Sequence, residues 1–429
     1  MAITRRQFIT GAVGAGAAGA VGVALSQSPW QARGDDKTAA TTTTVPTASS
    51  KGTLVLVTLY GGNDGLDTVI PFEDARYLGA RGELGNFSDG GHPDGAVIPL
   101  ADGLALHPAL TGLKRLWDAR QLAIVRGVGY PAPNRSHFVS MDIWQSGSTD
   151  GGSTTGWLGP WLDATGTDPL RAIAVGASVP RILRGEKASA TAVPLGPFAL
   201  PGTPALKAAF GSMQHPDGFD APLAAAIARS GADLLTTGRT IADVVAGRPE
   251  SEAGAANLEG VADGADRPGH TGELGEQLSL VARLIKADLP TTVYSVGLGG
   301  FDTHANEKAV HAQLLGQLDA SLARFFADLE GHSHREGVVV VASSEFGRRV
   351  AANASGGTDH GAAGPVLVAG PRVKGGTFYG DEPSLVDLDD GDLKHTTDFR
   401  SVYATVLEGI VGFDARRSLG GPYPRLDLL

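Results

Sequence analysis

The sequence predicts an α/β fold: a doubly wound, mostly parallel sheet with helices on both faces. Three observations carry that prediction. Thr53–Tyr60 and Val338–Val341 are unbroken runs rich in β-branched and aliphatic residues, the pattern of strands covered on both sides. Such runs alternate with segments of helical spacing. In Ala109–Arg120 the residues Leu110, Leu113, Leu116 and Trp117 share one face, and Val310, Leu314, Leu318, Leu322, Phe325 and Leu329 line another stripe. Each strand-like run also leaves into a loop rich in glycine and ionisable residues, as expected where ligands meet the carboxyl ends of an open sheet.

Taken in order, the chain opens with Thr4-Arg5-Arg6-Gln7-Phe8-Ile9 and a Gly/Ala-rich apolar stretch. Residues 1–33 read as a twin-arginine export signal, too short and too Gly-rich in its apolar part for a membrane span. Residues 34–51, rich in Thr, Ala, Ser and Pro, read as a flexible tether. A single α/β domain is expected over 52–429, with a helical and loop insertion around 184–272.

Within that domain, Thr53–Tyr60 runs into Gly61-Gly62-Asn63-Asp64-Gly65-Leu66-Asp67, a sharp turn that presents Asn63, Asp64 and Asp67. Gln121–Val128 is the next strand, and its exit carries Asn134-Arg135-Ser136-His137-Phe138 into a helix through Trp144. Arg171–Gly211 shows only short apolar runs. Leu223–Val245 has helical spacing, and Gly247–Thr271 reads as a solvated loop. Leu274–Leu289 is a further helix, and Thr292–Gly297 a strand that exits into Phe301-Asp302-Thr303-His304. Val338–Val341 exits into Ser344-Glu345-Phe346-Gly347-Arg348-Arg349. Gly357-Thr358-Asp359-His360-Gly361 precedes a last buried strand, Pro365–Gly370.

The bulk numbers exclude several classes. With 429 residues, 42% of them hydrophobic, the chain builds a core without staples, and it has no cysteine. Any metal site must therefore use oxygen and nitrogen ligands. A net charge of −11 argues against nucleic acid as a general partner.

Taken singly, each strand-end group has an ordinary reading. Asp64 suits a turn, Asp302 a helix cap, His304 a surface position, and Arg348 and Arg349 a solvated exit. A parallel sheet, however, brings its strand ends to one edge. There, carboxylates and imidazoles suit a hard or borderline divalent ion with a hydroxyl beside it. No nucleophile elbow, phosphate-binding loop or dinucleotide fingerprint is present.

Together, the twin-arginine leader, Gly61–Gly65, Asn134–Phe138, Phe301–His304, Ser344–Arg348 and Gly356–Gly361 resemble the domain-of-unknown-function 1501 family, from Gly52 onward. That layout is similar to the alkaline phosphatase and sulfatase superfamily. The resemblance implies a metal-ligating Asp64, a Ser136 nucleophile at a helix start, and further ligands at Asp302, His304, Glu345, Asp359 and His360. It also implies supporting roles for His137, Arg135 and Arg348, the last two as holders of an anion. Phe346 stands where the superfamily places a histidine, and a spacing of four after Asp302 falls on Asn306, so one of two metal sites is incomplete unless His137 or Asp359 supplies the missing ligand. The expected cofactor is a divalent metal ion: zinc, calcium, magnesium or manganese.

The expectation is an exported hydrolase of phosphate or sulfate esters, acting on a small anionic ester or carbohydrate. Its location would be periplasmic, cell-surface or extracellular, with membrane contact only transiently through the signal. The alternative is a catalytically silent cell-envelope protein of the same fold that binds a carbohydrate or a protein.

Overall fold

The computed structural model describes residues 51–87, 95–151, 153–196, 203–214, 221–246 and 274–429. The export signal, all of the tether but Lys51, and the loop read over 247–271 lie outside the described residues. Two compact units are present. In one, which includes residues 198–240, the described structure is the helix Pro204–Ser212 and most of the helix Pro222–Ala246. The other, 48–197 with 241–429, carries the sheet and every strand-end motif.

Its nine-stranded sheet is built from β1 (Thr53–Tyr60), β2 (Leu122–Gly129), β3 (Ala172–Val175), β4 (Thr191–Val193), β5 (Val293–Gly299), β6 (Val338–Ser344), β7 (Gly364–Ala369), β8 (Thr377–Tyr379) and β9 (Thr397–Asp398). The spatial order is β8-β2-β7-β6-β1-β5-β3-β4, with β9 also paired to β2. β1 pairs in parallel with both β5 and β6, at the centre. β3 and β4 belong to the Arg171–Gly211 stretch, which showed only short apolar runs.

β7 alone runs antiparallel to both neighbours, with Gly364 opposite Val128 and Leu367 opposite Ala342. This reversal matters for function. Residues that precede a parallel strand sit at the sheet's amino edge. Because β7 is reversed, the segment before it, Thr358–His360, arrives at the carboxyl edge of the other strands.

Alternation along the central strands divides the core in two. Val55, Val57, Val296, Val338 and Val340 face one side, together with buried residues of the helices Thr111–Asp118, Leu274–Lys286 and Glu307–Asp328. Leu54, Leu56, Val339, Val341 and Val366 face the other, with the helices His137–Ser146, Gly159–Ala164 and Phe399–Val406. Each fully buried Val or Leu contributes about 1.5–3 kcal/mol, which explains why the strands tolerate no polar alternation. Among the described residues no helix is long and apolar enough to cross a membrane.

The helix Thr111–Asp118 begins without a cap of its own, since Leu110 offers no side-chain acceptor. Asp319, on the long helix Glu307–Asp328, supplies one. Its two carboxylate oxygens each accept at 2.7 Å from the Gly112 and Leu113 amides. A Cβ on Gly112 would lie 2.9 Å from that carboxylate, so a glycine is needed for the approach. Asp319→Ala should therefore lower stability by about 1–3 kcal/mol in urea denaturation, because two buried amides lose their acceptor. A loss below about 0.5 kcal/mol would show that the amides find other partners.

Candidate metal centre

Three strand exits and the hairpin Arg348–Ala352/Thr358–His360 meet at the carboxyl edge of the sheet. Ser136 stands at the start of the helix after β2, and His137 is the first residue of that helix. Asp302 and His304 follow β5, Glu345 follows β6, and Asp359 and His360 close the hairpin.

Three imidazoles are oriented in the same manner, each with Nδ1 against an acceptor. His137 Nδ1 lies 2.8 Å from Glu345 Oε1, His360 Nδ1 lies 2.8 Å from the Arg135 carbonyl, and His304 Nδ1 lies 3.4 Å from Asp359 Oδ1. An Nδ1 that donates leaves Nε2 as a lone-pair donor, which is how metal-ligating histidines are held.

The three Nε2 atoms then converge on Asp302. His360 Nε2 lies 3.0 Å and His304 Nε2 3.1 Å from Asp302 Oδ1, and the two imidazole nitrogens are 2.9 Å apart. His137 Nε2 is buried, lacks a hydrogen-bond partner and faces Asp302 Oδ2 at 3.4 Å. His137, Asp302 and His360 each offer a ligand atom within 4.8 Å of the others. Ligand bonds of about 2.0–2.2 Å separate neighbouring ligand atoms by roughly 3 Å, so this spacing fits a shared cation. The donor set of imidazole nitrogen and carboxylate oxygen fits one too. The side chain of Asp302 is 37% exposed, leaving the cluster open to solvent on one side.

Charge follows the geometry. The contacts with Asp302 and then Glu345 push the His137 imidazole up to about 9, against burial. Burial opposes ionisation of Asp302, but His137, His360 and Arg348 outweigh it and hold its carboxyl well below the carboxylate range. Asp359 is also held low, chiefly by its hydrogen bond from Asn353.

Several expected residues take other positions. Glu345, expected as a ligand, is 2% exposed and sits behind His137. It accepts from the Gly61 amide at 2.9 Å and from Ser344 Oγ at 2.9 Å, so it orients the imidazole. Asp359 sits behind His304 in the same way. Arg348, expected to hold an anion, is buried and donates to the carbonyls of Gly61, Gly62, Phe301 and Thr358 and to Asp302. Arg135 pairs with Asp392 at 2.8 Å and Asp390 at 3.2 Å, which ties its loop to the turn at 390–392. Phe346 packs its ring 4.9 Å from both His137 and His360 and forms an apolar wall behind them. Gly62, at φ 73°, makes room for that ring, since a Cβ there would lie 2.3 Å from it. Asn306 holds a left-handed turn at φ 49° ahead of the long helix.

Asp64 is placed elsewhere as well. It is fully buried and forms an ion pair with Arg81, whose Nη2 donates to Asp64 Oδ1 at 3.0 Å and whose Nη1 contacts Oδ2. Asp67 lies 3.5 Å from Arg81 Nη1 and accepts from the Tyr77 hydroxyl at 2.7 Å. Glu307 completes a second acidic cluster. Burial, then the charges of Asp64 and Asp67, push its carboxyl up to about 9. Burial likewise raises Asp67 to about 7, against the pull of Arg81, while Arg81 holds Asp64 low in spite of its burial. Sequence reasoning missed Arg81 and Glu307. The four-residue spacing of Tyr77 and Arg81 shows that they share a helix face, but not that this face meets Asp64.

A layered α/β protein with an imidazole–carboxylate centre at the carboxyl edge of its sheet is the class that fold and site define. Residues 211–424 match the family described as "Protein of unknown function (DUF1501)". No curated protein matches the sequence. Solved structures that it resembles include a protein in the alkaline phosphatase superfamily from Vibrio parahaemolyticus, at 12% identity over 88% of this chain and 71% of that one, TM-score 0.37. The alkaline phosphatase from the Antarctic bacterium TAB5 is 11% identical over 77% and 95%, TM-score 0.34. Phosphonate monoester hydrolase SpPMH from Silicibacter pomeroyi is 12% identical over 87% and 77%, TM-score 0.35. These are likenesses of fold; the chemistry of the centre rests on its own residues.

Glu307 gives a pH dependence with a defined sign. Its proton is held to about pH 9 in the folded chain, whereas an unfolded glutamate releases it near 4.3. Its contribution to stability is complete below the lower value and is lost as pH rises toward the upper one. Glu307→Gln removes that titration, so its melting temperature relative to wild type should climb between about pH 5 and about pH 8. A difference that stays level or falls would refute this.

Proposed function

We propose that the chain is a metal-dependent hydrolase of phosphate or sulfate esters. The observation that supports this reading most is the convergence of three Nδ1-anchored imidazoles on Asp302. His137, Asp302, His304 and His360 would hold the ion. Nitrogen-rich donors favour zinc over calcium and magnesium, which prefer all-oxygen sites. When bound, a divalent ion there supplies Lewis-acid stabilisation of charge on ester oxygens and favours ionisation of an adjacent hydroxyl.

Ser136 is the hydroxyl in question. It is exposed at the start of a ten-residue helix, and its side chain makes no capping bond. Its neighbour Arg135 accepts from His360 through its carbonyl, and His137 follows it directly, so Ser136 lies in sequence between two residues tied to the centre. Backbone amides at that helix start favour an anion there. Glu345, Asp359 and the Arg135 carbonyl fix the tautomers of the three imidazoles, and Phe346 keeps water from behind them. Export through the twin-arginine pathway, as Arg5-Arg6 suggests, would deliver the protein folded and already loaded.

A second reading, binding without turnover, draws on Arg135 and Arg348, both committed to internal partners and not turned to a ligand. One set of measurements separates the two. Protein purified without chelator should contain a divalent metal and hydrolyse p-nitrophenyl phosphate or sulfate. Ser136→Ala should lower kcat/KM by at least about 10³-fold with metal content unchanged, and His360→Ala should lose the metal. Full activity in Ser136→Ala removes the nucleophile; bound metal without turnover of either ester favours the binding protein.

A further inference from the structure

We propose that the Arg81 guanidinium is the resident cation of a second carboxylate site, formed by Asp64, Asp67 and Glu307, and that it keeps this site closed to a divalent ion. The family resemblance implies an ion at Asp64; the residues around Asp64 fit a fixed organic cation instead.

The three carboxylates come from two segments far apart in sequence. Asp64 and Asp67 lie in the turn after β1, and Glu307 is the first residue of the long helix. Asp64, Glu307 and Arg81 are at most 1% exposed and Asp67 is 3% exposed, so water does not screen them. Arg81 reaches them from the last turn of the helix Ala75–Arg81 and also donates to the Arg349 carbonyl at 3.1 Å. Its planar fork matches one carboxylate well, as the paired contacts to Asp64 show.

It matches three carboxylates poorly. Glu307 Oε2 accepts from Thr358 Oγ1 at 2.8 Å and its carboxyl bonds Asp64, but Arg81 Nε is buried without a hydrogen-bond partner. Such an orphaned atom is uncommon in a native core, and here it belongs to the cation of the cluster. One positive charge faces three carboxyl groups, and the deficit appears as the protons that Glu307 and Asp67 retain. His311 and Lys308 are the other basic groups near the cluster. A divalent ion would satisfy more oxygens from the centre, and an all-carboxylate set suits a hard ion such as Mn²⁺. That set contrasts with the imidazole-rich centre at Asp302.

The test is the difference in Mn²⁺ binding between wild type and Arg81→Ala. Both full-length proteins are stripped with chelator, titrated with Mn²⁺ and followed by electron paramagnetic resonance and thermal melting. Arg81→Ala should bind one equivalent more than wild type and gain melting temperature from Mn²⁺. Adding Glu307→Gln to Arg81→Ala should remove the extra equivalent. If Arg81→Ala does not fold without metal, recovery from urea in Mn²⁺ but not in chelator is the same positive result. Wild-type stoichiometry in a folded Arg81→Ala, or failure to refold in either condition, overturns the proposal. A wild type that binds no Mn²⁺ would count against the imidazole centre and leave this difference measurement intact.

Discussion

The buried guanidinium of Arg348 is the interaction on which the carboxyl edge depends. It donates to carbonyls in the exits of β1 and β5 and at Thr358 in the hairpin, and to Asp302. Burying a charge without such partners is costly, whereas charge-assisted hydrogen bonds offset the loss of water. Three loops that share no regular pairing are thereby fixed relative to one another. Among the described residues, Asp302 is both the only carboxylate on this cation and the residue on which the imidazoles converge, so the scaffold and the centre share a side chain.

Around that fixed point the side chains divide by the atom each presents. Glu345, Asp359 and the Arg135 carbonyl occupy Nδ1 positions, and Asp302 faces Nε2 of all three rings. Groups of one chemical type thus perform two different tasks, and only the direction of the imidazole tells them apart. The second acidic cluster, with a guanidinium among its carboxylates, solves the same problem of buried charge differently.

Much of this was legible in the sequence because the signals are local. Unbroken apolar runs mark β1, β2, β5 and β6, and a glycine or a polar pair marks where each leaves the sheet. The strands β3 and β4 were not legible: they are short, and small residues such as Ala172 and Ala174 give little apolar signal. Nor was the direction of β7, because a buried run reads alike both ways. Spacing gathers Glu345, Asp64 and Asp302 at one edge but cannot say which carboxylate faces the imidazole Nε2 atoms, which backs a histidine and which meets Arg81. Those assignments depend on side chains brought together from distant segments.

The reversed strand β7 has a consequence for assembly. His137 and His360 are far apart in sequence, and the second is carried by the hairpin that leads into β7, the strand between β2 and β6. An ion held by both recognises a sheet that is already closed. Free energy from such binding accrues to the finished chain and not to its partly built forms, so occupancy of the centre would act as a checkpoint on completion of the fold.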